Sequence, residues 1–128
     1  MVSIVGNNVL IMGSLKHAHL LECINKLKEG FGNDINIIVL PNLYENHEKR
    51  WKSFSSASGI YVNMIVSNNA IYAATYNQQA ADDVALAIIK LCAKDAELLV
   101  ISLDCDRVGR LGGALRCLSC QLPLLEDN

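Results

Sequence analysis

Cysteine is the residue type in this chain with the most chemistry to offer, because a thiolate can serve as nucleophile, redox partner or metal ligand. There are five: Cys23, Cys92, Cys105, Cys117 and Cys120. Cys117-Leu118-Ser119-Cys120 has the Cys-x-x-Cys spacing of a thiol redox pair. Such a pair is expected to open a helix after a strand. Here it falls in an apolar run, residues 115–122, that reads as a strand, where residues three apart point to opposite faces. Zinc would require a second close ligand pair beside Cys105, Cys117 and Cys120, and none is present, so no metal site is expected. A buried, inert strand thiol is the plain alternative for Cys117. Cys23 and Cys92 sit in helical patterns, where a free thiol behaves as a small hydrophobe. Asp104 and Asp106 follow an apolar strand, a place where α/β folds put ligand contacts, and where an Asp also serves simply to cap a loop. Glu48-Lys49-Arg50-Trp51-Lys52 surround the only tryptophan. They read as a solvated helix with its Trp on the core, or as a lid or partner contact.

The elements that must position these residues are set by composition and pattern. The 128 residues suffice for one domain, with 52% hydrophobic and 19% charged residues, a core-rich globular balance. Aromatics are only 5%, so aliphatics fill the core. A formal net charge of −2 argues against nucleic acid, which rewards a basic face. No apolar run approaches the ~20 residues of a membrane helix. The N-terminal residues lack the basic region of a signal peptide. With an odd number of cysteines, this reads as a reduced, cytoplasmic protein.

The chain repeats itself. Ile4-Val5-Gly6-Asn7-Asn8-Val9-Leu10-Ile11 aligns with Ile65-Val66-Ser67-Asn68-Asn69-Ala70-Ile71-Tyr72 at an offset of 61 (65 − 4). The same offset sets Leu27 on Ile88 and residues 37–40 on 98–101. The expected copies are residues 1–43 and 62–104, each a ββαβ unit, joined by a polar linker over 44–61 with a short helix near 48–54. In each copy two apolar strands flank Asn-Asn, which tolerates the left-handed backbone of a tight hairpin. The first helix has Ser14 as its cap, an apolar face of Leu20, Leu21, Ile24 and Leu27, and Gly30 and Gly32 at its end. The second has Thr75 or Asn77 as cap, Asp82 and Asp83 in its first turn, and Val84, Leu86, Ile88, Ile89 and Leu91 as apolar positions. The nearly all-apolar strands over 35–40 and 98–103 are expected to be covered on both faces. A closing strand within 105–123 ends the domain.

Three stretches then resemble the pentein superfamily of guanidine-modifying enzymes. Tyr61-Val62-Asn63-Met64 is similar to the Tyr-x-Asn-Phe strand of agmatine deiminases. The helix opening Asp82-Asp83-Val84-Ala85 resembles their acidic-started helix. Gly112-Gly113-Ala114-Leu115-Arg116-Cys117 resembles the closing Gly-Gly-x-x-His-Cys, or the Gly-Gly-Pro-Arg-Cys of arginine deiminases. The resemblance implies an α/β propeller of ββαβ units, of which this chain holds the last two. It implies Cys117 as a nucleophile attacking a guanidinium carbon, Gly112 and Gly113 as close-approach positions, and Arg116 and Asn63 as substrate contacts. It implies no cofactor and a small guanidino substrate, agmatine or arginine.

The family's histidine acid/base motif and its carboxylate clamp are not matched here. His17 and His19 lie near a helix start and His47 in the linker. Two units also cannot close a five-unit ring. The expectation is therefore the catalytic-cysteine portion of a deiminase-like hydrolase, incomplete alone, completed by an oligomer or partner chain. The alternative is a non-catalytic binding or assembly module.

Overall fold

Short Val- and Ile-rich runs make strands because branched side chains pack well on a pleated surface. In the computed structural model, which describes residues 1–13, 17–42 and 56–122, β1 (Val2–Val5) pairs antiparallel with β2 (Asn8–Met12). The helix α1 (His17–Phe31) leads to β3 (Asn36–Leu40), which lies parallel to β2. The pattern then recurs. β4 (Ile65–Val66) pairs antiparallel with β5 (Ala70–Thr75), α2 (Gln79–Asp95) crosses over, and β6 (Leu99–Asp104) lies parallel to β5. The result is two open three-stranded sheets, β1-β2-β3 and β4-β5-β6. The expected mixed α/β class is what forms.

The hydrogen bonds set a different register from the sequence offset of 61. In the first hairpin Val5 faces Asn8 across a Gly6-Asn7 tip. In the second the Ser67 N–H donates to Ala70 O at 2.9 Å across Asn68-Asn69, an offset of 62 (67 − 5). The Asn36 N–H donates to Asn7 O, and the Leu99 N–H donates to Asn69 O, an offset of 63 (99 − 36). In the hairpins the one-residue slip turns the side chains over, whereas β3 and β6 slip by two residues and keep their faces. The paired asparagines are also not the left-handed residues: Gly6 carries φ +57°, and neither Asn pair has a positive φ.

Position in the sheet decides burial. The nearly all-apolar β3 and β6 are edge strands, not strands covered on both faces. β6 leaves Leu99, Ile101 and Leu103 at 67%, 40% and 39% exposure. The fully covered strands are the central ones, β2 and β5. α2 docks through Ala85, Ile89, Cys92 and Ala93, a spacing that keeps them on one face. Val84 and Leu91, expected in the core, are exposed. The small residues win because they let the helix backbone approach the sheet. Cys92 is the small hydrophobe the sequence implied. α1 buries no residue completely. It stops at Gly32, φ +87°, whose N–H donates to Lys28 O, while Gly30 stays within the helix.

Three further expectations change. α2 begins at Gln78 with no side-chain cap, neither Thr75 nor Asn77. Residues 115–122 form no strand: Leu115–Leu118 is a 3₁₀ turn and the rest is irregular. The end of the linker is not surface loop, since Ala57 and Tyr61 are buried and the Ala57 N–H donates to Gly109 O at 2.7 Å. Ser14, His47, Trp51 and the helix near 48–54 lie outside the described residues.

Candidate functional site

The chain reaches Cys117 through a turn-rich stretch. Asp104 Oδ1 accepts the Asp106 N–H at 2.9 Å and opens the single helical turn α3 (Asp106–Gly109). Asp106 pairs with Arg110 one turn on. Asp104 therefore serves the local backbone, and Asp106 holds the Arg110 guanidinium. Gly109 is pinned: a Cβ there would lie 3.0 Å from Tyr76 Cε1 and 3.2 Å from Ser58 Cα. Gly112 takes φ +92°, the left-handed region open to glycine. At Gly113 an added Cβ would meet Cys117 Cβ at 3.4 Å and Sγ at 3.9 Å, ordinary van der Waals contact. The Cys117 N–H donates to Ala114 O at 3.0 Å. Its side chain is exposed, not sealed in an aliphatic interior.

Asn63, 1% exposed, lies beneath this turn. Its Oδ1 accepts the Arg116 N–H at 2.9 Å, and its Nδ2 faces Cys117 Sγ at 4.0 Å. The four sequence positions Asn63, Gly113, Arg116 and Cys117 thus come together, with Gly112 one residue away. The Arg116 guanidinium, however, is engaged by protein. Nη1 donates to Val2 O at 3.2 Å, and Nη2 donates to Ser3 Oγ at 2.5 Å and Met64 O at 3.4 Å. It lines a groove of about 430 Å³ between β1 and β4, with Val2, Ser3, Met64 and Ser119.

A second layer, absent from the sequence reading, backs the turn. Tyr61 and Tyr76 meet edge to face at 5.4 Å. Asp82, expected only to favour the start of α2, is 7% exposed. Its Oδ1 accepts the Tyr61 hydroxyl at 2.7 Å and the Tyr76 N–H at 3.0 Å, and its Oδ2 accepts the Gln78 N–H at 3.0 Å. Asp82 thereby replaces the missing side-chain cap. Burial pushes the Tyr61 phenol far above its ordinary value, and its bond to Asp82 adds to this. Burial does the same to Tyr76, reinforced by charge on Cys105, Asp82 and Cys117. Both phenols are neutral donors at any ordinary pH. The sequence carried Tyr61 and Asp82 in two stretches of family resemblance, without a sign that the two side chains bond each other.

The chemistry the site displays is that of an accessible thiol over a buried amide. Cys120 is also exposed and free, and without a strand the argument from alternating faces lapses. Among the described residues no histidine or carboxylate hydrogen-bonds Cys117. His17 and His19 are exposed on α1. No group of three His, Cys, Asp or Glu residues suited to a metal occurs among the described residues, and none of their helices is long and apolar enough to cross a membrane.

The sequence profile of the Porphyromonas-type peptidyl-arginine deiminase family matches residues 14–123. No curated protein matches the chain significantly. Among solved structures, one from Porphyromonas gingivalis assigned as an arginine deiminase is 21% identical, with a TM-score of 0.72, covering 96% of this chain and 37% of that one. The agmatine deiminase of C. jejuni is similar at 21% identity and a TM-score of 0.55, covering 87% of this chain and 33% of its own. A substrate-bound variant of that enzyme gives 21% and 0.56, with 86% and 32% covered. This chain spans about a third of the length of each.

Proposed function

Since the chain belongs to the Porphyromonas-type peptidyl-arginine deiminase family and has the pentein fold, we propose that it is the catalytic-cysteine portion of a guanidine-modifying hydrolase. The observation that carries this reading is Cys117 itself: exposed, in a turn that Gly112 permits, with the Asn63 amide beneath it. A guanidinium is a resonance-stabilised and poor electrophile, which suits a soft thiolate as attacker. The thiolate forms a C–S bond to the guanidinium carbon, and a C–N bond breaks to release ammonia, leaving a covalent thiouronium. Water then adds to that carbon, the C–S bond breaks, and a ureido product leaves with the thiolate restored. The substrate class is a compound bearing a terminal guanidinium: agmatine, arginine or, by the family's description, a peptidyl arginine.

The proton for the leaving ammonia and the base for the water come from outside the described residues. We read the two sheet-and-helix units as copies of one building block and as part of a longer ring. The exposed Leu99, Ile101 and Leu103 edge is where a further unit sits, from the same or a partner chain. The test is ureido product formed from agmatine, arginine and an arginine peptide, by the chain alone and with any co-purifying partner. Cys117→Ala is the control and light scattering gives the mass. Product that is lost in Cys117→Ala is expected. Its absence from the wild type in every assembly ends the reading. The lack of an acid/base partner for Cys117 among the described residues favours a second reading, a non-catalytic module that binds or assembles. For that reading, ligand is retained, with no product, in the same assay.

A further inference from the structure

We propose that Ser3, on the first unit's outer strand, is a positioning residue for Cys117 on the second, acting through Arg116 and Asn63. The proposal rests on the reading of Cys117 as the nucleophile.

Ser3 is 4% exposed, and its hydroxyl does two things at once. It donates to Val62 O at 2.9 Å and accepts from Arg116 Nη2 at 2.5 Å. Val62 is the residue before Asn63, and Arg116 is the residue before Cys117. The Arg116 N–H returns to Asn63 Oδ1 at 2.9 Å, which closes a ring of hydrogen bonds through Ser3, Val62, Asn63 and Arg116. The remaining Asn63 donor faces Cys117 Sγ. A closed, part-buried polar ring holds its members in one geometry, and loss of any member releases the rest.

The turn packs on the core through Ala114 and Leu115, and the ring of hydrogen bonds fixes the two residues that follow. Leu115–Leu118 belongs to no sheet. Beyond the bonds of Arg116 and the Asn63 contact to Cys117, its hydrogen bonds are local, from Cys117 to Ala114 and from Ser119 to Arg116. The Gln121 amide reaches Val66 only beyond the turn. The guanidinium suits the task through its planar fork, which serves Val2 O and Ser3 Oγ together; a lysine could not occupy both in that geometry. Arg116 is thus a tie between the two units that carries the nucleophile at its C-terminal side.

The experiment measures site-resolved alkylation of the full chain by iodoacetamide across pH, with peptide mass spectrometry distinguishing Cys117 from Cys120. Cys120, three residues on and equally exposed, is the internal reference, and protection of buried Cys92 and Cys105 reports that the fold is intact. In the wild type Cys117 is expected to alkylate at a rate different from that of Cys120. In Ser3→Ala the Cys117 rate falls by about two- to tenfold, the range of one net hydrogen bond. Cys120 is unchanged, and Ser3→Thr, which keeps the hydroxyl, restores the wild-type profile. Arg116→Lys gives the same selective loss and stands in should Ser3→Ala fail to fold. A Cys117 rate untouched by both substitutions, or one that moves in parallel with Cys120, overturns the positioning role. Identical behaviour of the two thiols in the wild type would instead remove the nucleophile reading itself.

Discussion

Asn63 uses both ends of its amide on the turn that holds Cys117, with Oδ1 taking the Arg116 N–H and Nδ2 facing the sulfur. The resemblance implied a substrate contact; at 1% exposure Asn63 supports the turn that carries Cys117. Replacing it with leucine keeps the volume and strands the Arg116 N–H. Asn63→Leu is expected to cost about 1–3 kcal/mol in denaturant unfolding, the penalty for an unsatisfied buried donor. The same variant should lose the distinctive alkylation of Cys117. Cys117, Gly112 and Gly113 were legible because their chemistry is local: a thiol, a positive φ and a missing Cβ act within six residues. The Ser3 contacts were not, because their partners lie far along the chain; the bonds among Tyr61, Tyr76 and Asp82 were not, because they depend on which side chains the fold buries. Ser3 and Arg116 are 113 positions apart.

At the scale of elements, glycines separate crowding from propensity. Gly109 has Tyr76 and the Ser58 backbone against it, whereas Gly30 has nothing within 4 Å and sits inside α1. Gly109→Ala is expected to destabilise by about 1–3 kcal/mol through overpacking. Gly30→Ala is expected to stabilise by about 0.5–1 kcal/mol, since alanine loses less backbone entropy in a helix. Thermal unfolding of the two variants checks both signs. The existence and order of strand and helix were readable because apolar runs, turn residues and helical spacing are local signals. Register was not. The offset of 61 matched residue types without gaps, but the hairpin and the parallel ladder are paired at 62 and 63, and the second helix is longer, 17 residues against 15. The closing strand failed for a related reason. An apolar run becomes a strand only where a neighbour offers a free edge, and residues 115–118 coil over Asn63 instead.

For the molecule as a whole, the core centres on the second unit and the segment that enters it. Tyr61, Val62, Met64, Ile71, Tyr76 and Ile89 are all fully buried. Several titratable groups in it share one sign of shift. Burial raises the Tyr61 and Tyr76 phenols above 10.0 and the Cys92 and Cys105 thiols above 9.0. A folded-state value above the unfolded one means the native chain holds protons more tightly. The associated stability is complete below the unfolded values and is lost as pH rises past them toward the folded ones. Melting temperature is therefore expected to hold flat through neutral pH and to fall above about pH 9, thiols first and phenols next. Tyrosinate absorbance from the two buried rings should rise only together with unfolding. Early, independent ionisation of all four tyrosines would contradict the packing described.

The amino-acid sequence by itself determined the α/β class, the order of the elements through β6, and the glycine pair just before Cys117. Each of these follows from interactions between near neighbours. Tertiary structure alone decided which strands are central, which face of α2 is buried, and that the Arg116 guanidinium binds Val2 and Ser3 of β1. Those outcomes depend on burial and hydrogen bonds between residues far apart in the chain, and no local pattern encodes which distant partner will occupy the space.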